Sequence, residues 1–427
     1  MPVALVAIAA IVVGTAVLVS RPVGALIGVL LIRAAVDRND AFFNLGAATV
    51  EGMLNAVIVA SGALALVLTG ARIPGRGIRL ALLGSLGVCL LSLLWSIDRA
   101  EGVRTWLHLA GIATIFLLAA ASIRRPATLR TLVTVTLVSS IVPIAVGLVQ
   151  LATGSTYTRQ GFSAIVGTFD HSNGFAFYLL LVMTLALVTL FERRGALRVL
   201  AAGVLLTGMV AFVVTYTRSA WIGWVLVLGL LAALQYRRLI VVAVVAVIVA
   251  GVMVPSGVGL VEERFADLSS ESSRYSDNSL SWREENWSRM FHFATERPAQ
   301  GWGLASYPDL AIVEFGRSNP RFSPKSATKP GVYAHNDYLR LAVETGVPGM
   351  LLWVAVLVGL CAAMWRARRV EEIRPYATAM FAAMVAVIFI GAVDNMQGYT
   401  GVMYYLVALC GGVIGVAAGQ DADAAPG

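Results

Sequence analysis

Charged residues are scarce in this chain: they make up 13% of its 427 residues, against 58% that are hydrophobic, and the mean hydropathy is +0.81. About a quarter of the residues of a typical soluble domain are charged, so this balance excludes that class. A membrane-spanning helix needs about 20 apolar residues. We therefore predict an all-α polytopic membrane protein with 12 spans, at 3–20, 46–69, 80–97, 105–121, 128–151, 173–191, 197–216, 219–235, 239–254, 347–364, 376–393 and 401–418. A shorter apolar run at 23–36, which Arg33 interrupts, leaves the count between 12 and 13.

Cysteine is rare as well. Cys89, Cys361 and Cys410 all lie in apolar runs, and their spacing fits neither a disulfide framework nor a metal site. We predict that they are buried small hydrophobic residues.

No basic residue precedes the first apolar run and more apolar sequence follows it at once, so we interpret this run as a first span and not as a cleavable signal peptide.

The net charge of +8 comes almost entirely from arginine. Most of these arginines lie in short links between the predicted spans, where the positive-inside rule already explains them, so we predict no nucleic-acid binding. Basic clusters occur on every second link, which places them all on the cytoplasmic face. The links predicted to face outward are 98–104, 152–172, 216–219, 255–346 and 394–400.

The link 255–346 is by far the longest and contains 12 of the 24 acidic residues. We predict that it is a folded extracytoplasmic loop domain with amphipathic helices, including one at about 282–296 that ends before Pro298. The stretch 316–332 is rich in Pro, Ser and Lys, and we interpret it as a mobile flap. The domains are then an N-terminal transmembrane bundle at 1–254, the loop domain at 255–346, and C-terminal transmembrane helices with a short cytoplasmic tail at 347–427.

Three arginines are predicted to lie on the outward face: Arg159, Arg218 and Arg283. A planar guanidinium binds phosphate oxygens through paired hydrogen bonds, so three of them suit a ligand with clustered negative charge. Pairing with loop carboxylates or lipid headgroups is the alternative for Arg159 and Arg283. A binding function is favoured for Arg218, because its short linker keeps it near the apolar core, where an unused charge is costly.

Histidine is the residue type whose ordinary pKa, about 6.5, best suits proton transfer near neutral pH. His335 is the best candidate for a general base. It precedes a short helix that we predict to end at Gly346, with Pro348 starting the next span. His108 is interpreted as structural and His292 as solvated. His171 lies at the outer start of a span, where we predict that Ser172 or Asn173 caps the helix.

His335-Asn336, followed after nine residues by Gly346-x-x-Gly349, resembles the signature of the O-antigen ligase and Wzy-type polymerase superfamily. The resemblance extends to four other places: Ser92-x-x-Trp95-Ser96-Ile97-Asp98, Gly167-Thr168-Phe169 with Asn173, Thr217-Arg218-Ser219, and Arg283-x-x-x-Trp287 followed by Pro298-Ala299-Gln300-Gly301-Trp302-Gly303. The chain departs from the family at Met350 and at Asp170-His171, where relatives often have Asn-Pro, so a role for His171 stays open.

The resemblance implies a GT-C-like glycosyltransferase of the bacterial cytoplasmic membrane that moves a glycan from a polyprenyl diphosphate carrier to an acceptor hydroxyl on the outer face. It implies that His335 and Arg218 are catalytic and that Arg159, Arg218 and Arg283 bind the diphosphate. Supporting roles fall to Asn336, Gly346, Gly349 and Asn173. The scheme needs no cofactor and no metal, and attack opposite the leaving group inverts the anomeric configuration.

Three alternatives remain at this stage. A Wzy-type polymerase uses the same chemistry and shares the signature. A transporter or flippase for an anionic lipid-linked glycan could use the arginines as a vestibule, although transporters typically place ionisable residues and broken helices at mid-membrane. A scaffold in the cell envelope would leave the His-Asn and arginine set without a purpose. Nothing in the sequence indicates the acceptor, the sugar or the oligomeric state.

Overall fold

The computed structural model describes residues 2–35, 44–45, 48–159, 162–241, 280–318 and 333–423. The described part is almost entirely helical, which confirms the all-α class. Its helices are α1 (Pro2–Ser20), α2 (Pro22–Arg33), α3 (Val50–Thr69), α4 (Arg76–Ser92), α5 (Arg99–Ser122), α6 (Pro126–Ser139), α7 (Ile141–Thr153), α8 (Ser172–Glu192), α9 (Ala196–Val214), α10 (Arg218–Leu234), α11 (Leu280–Glu296), α12 (Tyr307–Ser318), α13 (Asp337–Ala367), α14 (Arg374–Val393) and α15 (Thr400–Asp423). Single 3-10 turns lie at Leu93–Trp95, Glu371–Ile373 and Met396–Gly398. Two small antiparallel hairpins pair β1 (Asn44–Leu45) with β2 (Ala48–Thr49) and β3 (Tyr157–Arg159) with β4 (Phe162–Ala164).

Eight helical segments of the described part are long and apolar enough to cross a membrane, so the polytopic character is confirmed. Four shorter apolar helices, α1, α2, α3 and α10, cover the predicted runs 3–20, 23–36, 46–69 and 219–235. The predicted span at 239–254 and the predicted flap at 316–332 lie mostly outside the described residues. The count of 12 to 13 spans, the domain boundaries and the GT-C-like arrangement therefore stay predictions.

The centre of the bundle is formed by α8 and α15, and 89% of the most apolar window of each is buried. A helix that is apolar all round belongs in such a position. α8 packs along α9, and α15 packs along α5. The short links before these two central helices carry His171 and Asp394. They meet the links around residues 93–98, 215–217 and 298–306 at one end of the bundle, which we call the site end.

The long helix α13 is interrupted at Gly346, where φ is +71° and ψ is 176°. The segment before the break belongs to the site end, and the segment after Pro348 is apolar enough to span the membrane, as predicted. The break lets the 298–303 turn approach: Val347 N donates to Pro298 O at 2.8 Å. The carbonyl oxygens of Val343 and Glu344 accept from Trp302 N and Gly303 N, also at 2.8 Å, so this turn completes the end of the short helix.

Replacing Gly346 with alanine is expected to destabilise the protein. Its backbone conformation is almost restricted to glycine and costs another residue roughly 1–3 kcal/mol, and a Cβ atom there would lie 2.7 Å from Ala299 O. The thermal unfolding temperature in detergent should fall by several degrees. Gly203→Ala in α9 is the control, because nothing lies within 4 Å of its Cβ position and alanine favours a helix. Equal unfolding temperatures for the two variants would contradict this account.

The amphipathic helix predicted at 282–296 is observed as α11. Its Met290 and Ala294 are buried in a small second core with Tyr307 of α12 and Val343 of α13. Phe291 of the same helix is 63% exposed. The second core holds α11 and α12 against the helix that His335 precedes.

Candidate functional site

His335 lies at the entrance to α13 and is almost completely buried, with 3% of its surface exposed. Its φ of +48° is uncommon for a residue other than glycine, and such a conformation persists only when neighbouring groups hold it. The His335 N–H donates to Asn395 Oδ1 at 2.9 Å. Asn286 Nδ2 and Trp287 Nε1 of α11 donate to the carbonyl of Ala334, at 3.3 and 3.2 Å. Two separate elements thus hold the histidine backbone.

Asp394 is the principal partner of His335, and the sequence analysis did not identify it. Its Oδ1 lies 3.6 Å from His335 Nδ1, a distance suited to an ion pair. Oδ1 also accepts from Asn395 N at 2.8 Å, and Oδ2 accepts from Asn173 Nδ2 at 2.8 Å. Thr217 Oγ1 in turn donates to Asn173 Oδ1 at 3.2 Å. A continuous polar chain therefore runs from the start of α10 through α8 to the histidine.

The carboxylate of Asp394 is stabilised in its charged form. Burial alone would raise its pKa, but the hydrogen bond and charge of His335, the N–H of Asn395 and the charge of Arg283 together hold the pKa below its usual range. Interactions with the charged form are known to outweigh desolvation in this way. Asp394 is thus a buried anion that can orient the imidazole and stabilise it when it is protonated.

The lowered pKa of Asp394 predicts a pH-dependent contribution to stability. A carboxyl group whose pKa is lower in the folded state stabilises the fold above its unfolded pKa, about 3.9, and this contribution is lost as the pH falls through the folded pKa. At pH 7 we expect Asp394→Asn to be less stable than the wild type by roughly 1–3 kcal/mol. The difference should shrink below about pH 4, because protonation makes the wild type resemble the variant. Thermal unfolding from pH 7 to pH 3 measures this, and a difference independent of pH would contradict it.

Of the three predicted arginines, Arg283 lies at this cluster and Arg218 is next to it along the chain. Arg283 of α11 lies near enough to Asp394 for its charge to lower the carboxyl pKa. Arg218 is the first residue of α10 and directly follows Thr217, whose hydroxyl belongs to the polar chain. Arg159 has its backbone in the β3–β4 hairpin of the link between α7 and α8, and its side chain lies outside the described part. Its predicted role stays a prediction.

The predicted supporting residues have distinct structural tasks. Asn336 is the N-cap of α13: its Oδ1 accepts from Tyr338 N and Leu339 N, at 3.1 and 3.0 Å. Gly346 permits the break described above. Gly349 provides room for the Thr345 hydroxyl, since a Cβ atom there would lie 2.1 Å from Thr345 Oγ1. Asn173 bridges Thr217 and Asp394 and does not cap α8.

The cap of α8 is His171, which corrects the prediction of Ser172 or Asn173. His171 Nδ1 accepts from Asn173 N at 3.0 Å, so the imidazole performs the task usually given to a short polar side chain. His292 is 72% exposed and lies 3.1 Å from Glu296, in agreement with the prediction that it is solvated. His108 is half-buried on α5.

A second polar network supports the loop that carries Asp394. Arg340, one turn into α13, lies 3.5 Å from Asp337 Oδ1 and 3.3 Å from Glu344 Oε2. Its guanidinium also donates to Gln397 Oε1, and Gln397 N donates to Asp337 Oδ2 at 2.9 Å. One mostly buried cation and two carboxylates thus tie the start of α13 to the 394–398 loop.

Two other quoted motifs pack on each other. Ser96 Oγ donates to Leu304 O at 2.8 Å, Leu304 N donates to Ser92 Oγ at 3.1 Å, and Ile97 N donates to Ser306 Oγ at 3.0 Å. Gly303 has a φ of +99° and lies directly against the Ser96 backbone. The motif at 92–98 therefore braces the turn that completes the short helix behind His335.

Sequence reasoning missed Asp394, Arg340 and Gln397. The signal for Asp394 was modest but present: it is a lone acidic residue at the end of an apolar run, in a link predicted to face outward. Asp337 stands three residues before Arg340 and Glu344 four residues after it, and both are spacings of interacting helix side chains. No pattern in the sequence around Gln397 indicates that it contacts Arg340 and Asp337.

The described residues contain no group of three or more His, Cys, Asp or Glu side chains that could hold a metal ion. The chemical content of the site is a buried histidine beside a buried carboxylate, with arginines close by. No curated protein matches the chain. A family model described as O-Antigen ligase matches residues 202–354. This segment contains Arg218, Arg283, His335 and the Gly346-x-x-Gly349 pair. This part of the chain is therefore similar to the O-antigen ligase family, in agreement with the resemblance of the motifs, and the eight candidate spans of the described part indicate a multi-pass membrane protein.

Proposed function

We propose that the protein is a glycosyltransferase of O-antigen ligase type. It transfers a glycan from a polyprenyl diphosphate carrier to an acceptor hydroxyl at the outer face of the bacterial cytoplasmic membrane, without a metal and with inversion. The observation that carries the proposal is the burial of His335 against Asp394 with Arg283 close by. The alternation of basic links supports the placement of the site end at the outer face.

The arginines act on the donor. When the bond between the anomeric carbon and the diphosphate breaks, negative charge develops on the leaving oxygen. Arg218 and Arg283, with Arg159 as the third member, bind the diphosphate through charge-assisted hydrogen bonds, each worth about 1.5–3 kcal/mol. Because donors held in place need not reorganise as the charge develops, they stabilise the transition state more than the ground state.

His335 acts on the acceptor. Its Nδ1 lies against Asp394, so Nε2 is the atom that takes the proton of the acceptor hydroxyl. The acceptor oxygen then forms the new bond to the anomeric carbon as the carbon–diphosphate bond breaks on the opposite side. The imidazolium that results is stabilised by the Asp394 carboxylate, as in other histidine and carboxylate pairs. Attack from the side opposite the leaving group inverts the anomeric configuration.

The position of the ionisable residues argues against the transporter alternative. The described ionisable cluster, with Asp394, His335 and Arg283, is confined to the site end of the bundle. Transporters typically concentrate such groups near the membrane midplane. A one-sided cluster with a histidine and carboxylate pair favours chemistry at the membrane surface over passage through it.

The proposal is tested in cells that lack the protein, rescued with the wild type or with His335→Ala. We expect the wild type alone to restore envelope-attached glycan. Full-length chains stranded on the carrier in the deletion strain mean a ligase, and single repeat units stranded there mean a polymerase with the same chemistry. A glycan profile unchanged by the deletion, or rescue by His335→Ala, would overturn the proposed mechanism. As a control, the amounts of the wild type and of His335→Ala in membrane fractions are compared and should be equal.

A further inference from the structure

A groove with a volume of about 660 Å³ runs between α11 and α12 and is bordered by Ile97 of the 93–98 link. Small-molecule sites occupy about 300–1,000 Å³, so its size is that of a binding site. It is separate from the histidine site. Arg283 and Trp287 lie on the face of α11 toward His335, whereas Arg289, His292 and Glu296 line the groove. His292 follows Arg283 by nine positions in α11, which is about 14 Å along the helix.

The charge of the groove is opposite to that of the histidine site. Glu296, Asp309 and Glu314 line it together with Arg289 as the one arginine among the lining residues. A ligand with phosphate or carboxylate groups would be repelled by this net negative charge. The arginines Arg218 and Arg283 attract such a group at the other site. A substrate with a diphosphate end and an uncharged glycan would therefore be oriented by the two sites together.

Several polar side chains of the groove already contact a charged or polar partner. Arg289 lies 2.6 Å from Glu285 and 3.6 Å from Glu314, and His292 lies 3.1 Å from Glu296. A carboxylate offers about four acceptor positions, so it can accept from sugar hydroxyls while it remains in an ion pair. Held side chains lose little conformational freedom when a ligand binds, which favours affinity.

An aromatic ring completes the lining. Phe293 lies in the groove and packs edge-on against Trp302, with ring centroids 6.3 Å apart. Trp302 Nε1 donates to the Phe293 carbonyl at 3.0 Å, so the Trp302 ring is oriented and gives the Phe293 ring a fixed packing partner. Aromatic rings pack well on flat apolar surfaces, and a pyranose has such a surface in its C–H face. Carboxylates beside an aromatic ring match the hydroxyl groups and the C–H face of a sugar.

We propose that this groove binds an uncharged saccharide segment of the glycan substrate and aligns it with the reaction at His335. The proposal rests on the proposed function. It adds a binding site and a ligand class that the arginine and histidine set does not contain. The segment belongs either to the donor glycan or to the acceptor, and separate kinetic measurements on the two substrates distinguish these sources.

The test uses the full-length protein in detergent and, as a probe, the carrier-free repeat oligosaccharide released from the host's lipid-linked intermediates by mild acid. The double variant Glu296→Gln with Asp309→Asn removes two charges and keeps the shapes of the side chains. The control is Glu284→Gln, an exposed glutamate of α11 outside the groove lining. Oligosaccharide binding is followed by saturation-transfer NMR and calorimetry, and thermal unfolding confirms that the variants are folded.

We expect the double variant to bind the oligosaccharide about tenfold more weakly, because it loses charge-assisted hydrogen bonds. The KM for one of the two substrates should rise by a similar factor with little change in kcat. His335→Ala should bind the oligosaccharide as the wild type does, and inorganic diphosphate should not displace it. Absence of binding to the wild type, displacement by diphosphate, or equal affinities for the double variant and the control would overturn the proposal. If His335→Ala lost transfer activity while the groove variants changed neither binding nor KM, saccharide binding in the groove would be refuted and the proposed function would stand. If the wild type bound the oligosaccharide but had no transfer activity, the proposed function would be refuted and the binding site would stand.

Discussion

Replacement of His335 with alanine is expected to lower the rate of glycan transfer by about 10²–10⁴-fold, the usual contribution of a general base. Replacement of Asp394 with asparagine should lower it nearly as much, because an amide at that position cannot stabilise the imidazolium electrostatically. The two side chains act as a unit, 3.6 Å apart in a buried position. The double variant should therefore be little worse than His335→Ala alone, since effects within one catalytic unit are not additive.

The measurement is a double-mutant cycle on purified protein with a lipid-linked donor and saturating acceptor. Glu101→Gln is the matched control for Asp394→Asn, because Glu101 is an exposed acid of α5 paired with Arg104. It should leave the rate unchanged. Losses that multiply in the double variant would mean that Asp394 acts independently of His335. Full activity in His335→Ala would remove the histidine from the mechanism.

Replacement of Arg283 with alanine has the second largest expected effect, a loss of about 10- to 100-fold in kcat/KM. This is the loss of one charge-assisted hydrogen bond of about 1.5–3 kcal/mol, converted at 1.4 kcal/mol per factor of ten. Because the charge on the leaving diphosphate develops in the transition state, kcat should fall together with kcat/KM. Arg283→Lys keeps the charge but loses the planar fork, so it should recover only part of the activity.

The control for Arg283 is Arg104→Lys, which conserves charge at a half-exposed arginine of α5. Surface ion pairs of this kind contribute little, about 0–1 kcal/mol, so transfer should be unchanged. If Arg283→Ala raised KM for the donor and left kcat intact, Arg283 would bind ground state and transition state equally. If Arg283→Ala retained full activity, the role of this arginine in the diphosphate site would be refuted.

The helical elements were accessible from the sequence because they depend on local properties. The apolar runs at 173–191 and 376–393 became α8 and α14 with ends within a few residues, since helices in a membrane must satisfy their own backbone hydrogen bonds. The break at Gly346 was predictable for a similar reason: glycine followed by proline marks the end of one helix and the start of the next. The cap of α8 was not, because an imidazole took a place that statistics assign to Ser or Asn.

For the site, the sequence by itself determined which residue types are available, among them His335, Arg218 and Arg283, and it predicted from the spans around them that they share one face of the membrane. Only the tertiary structure decided that Asp394 lies beside His335, that Asn173 bridges to it, and that α11 and α12 enclose a groove. These contacts join segments that are distant along the chain. Their distances depend on how helices pack side by side, and helix periodicity does not specify packing partners.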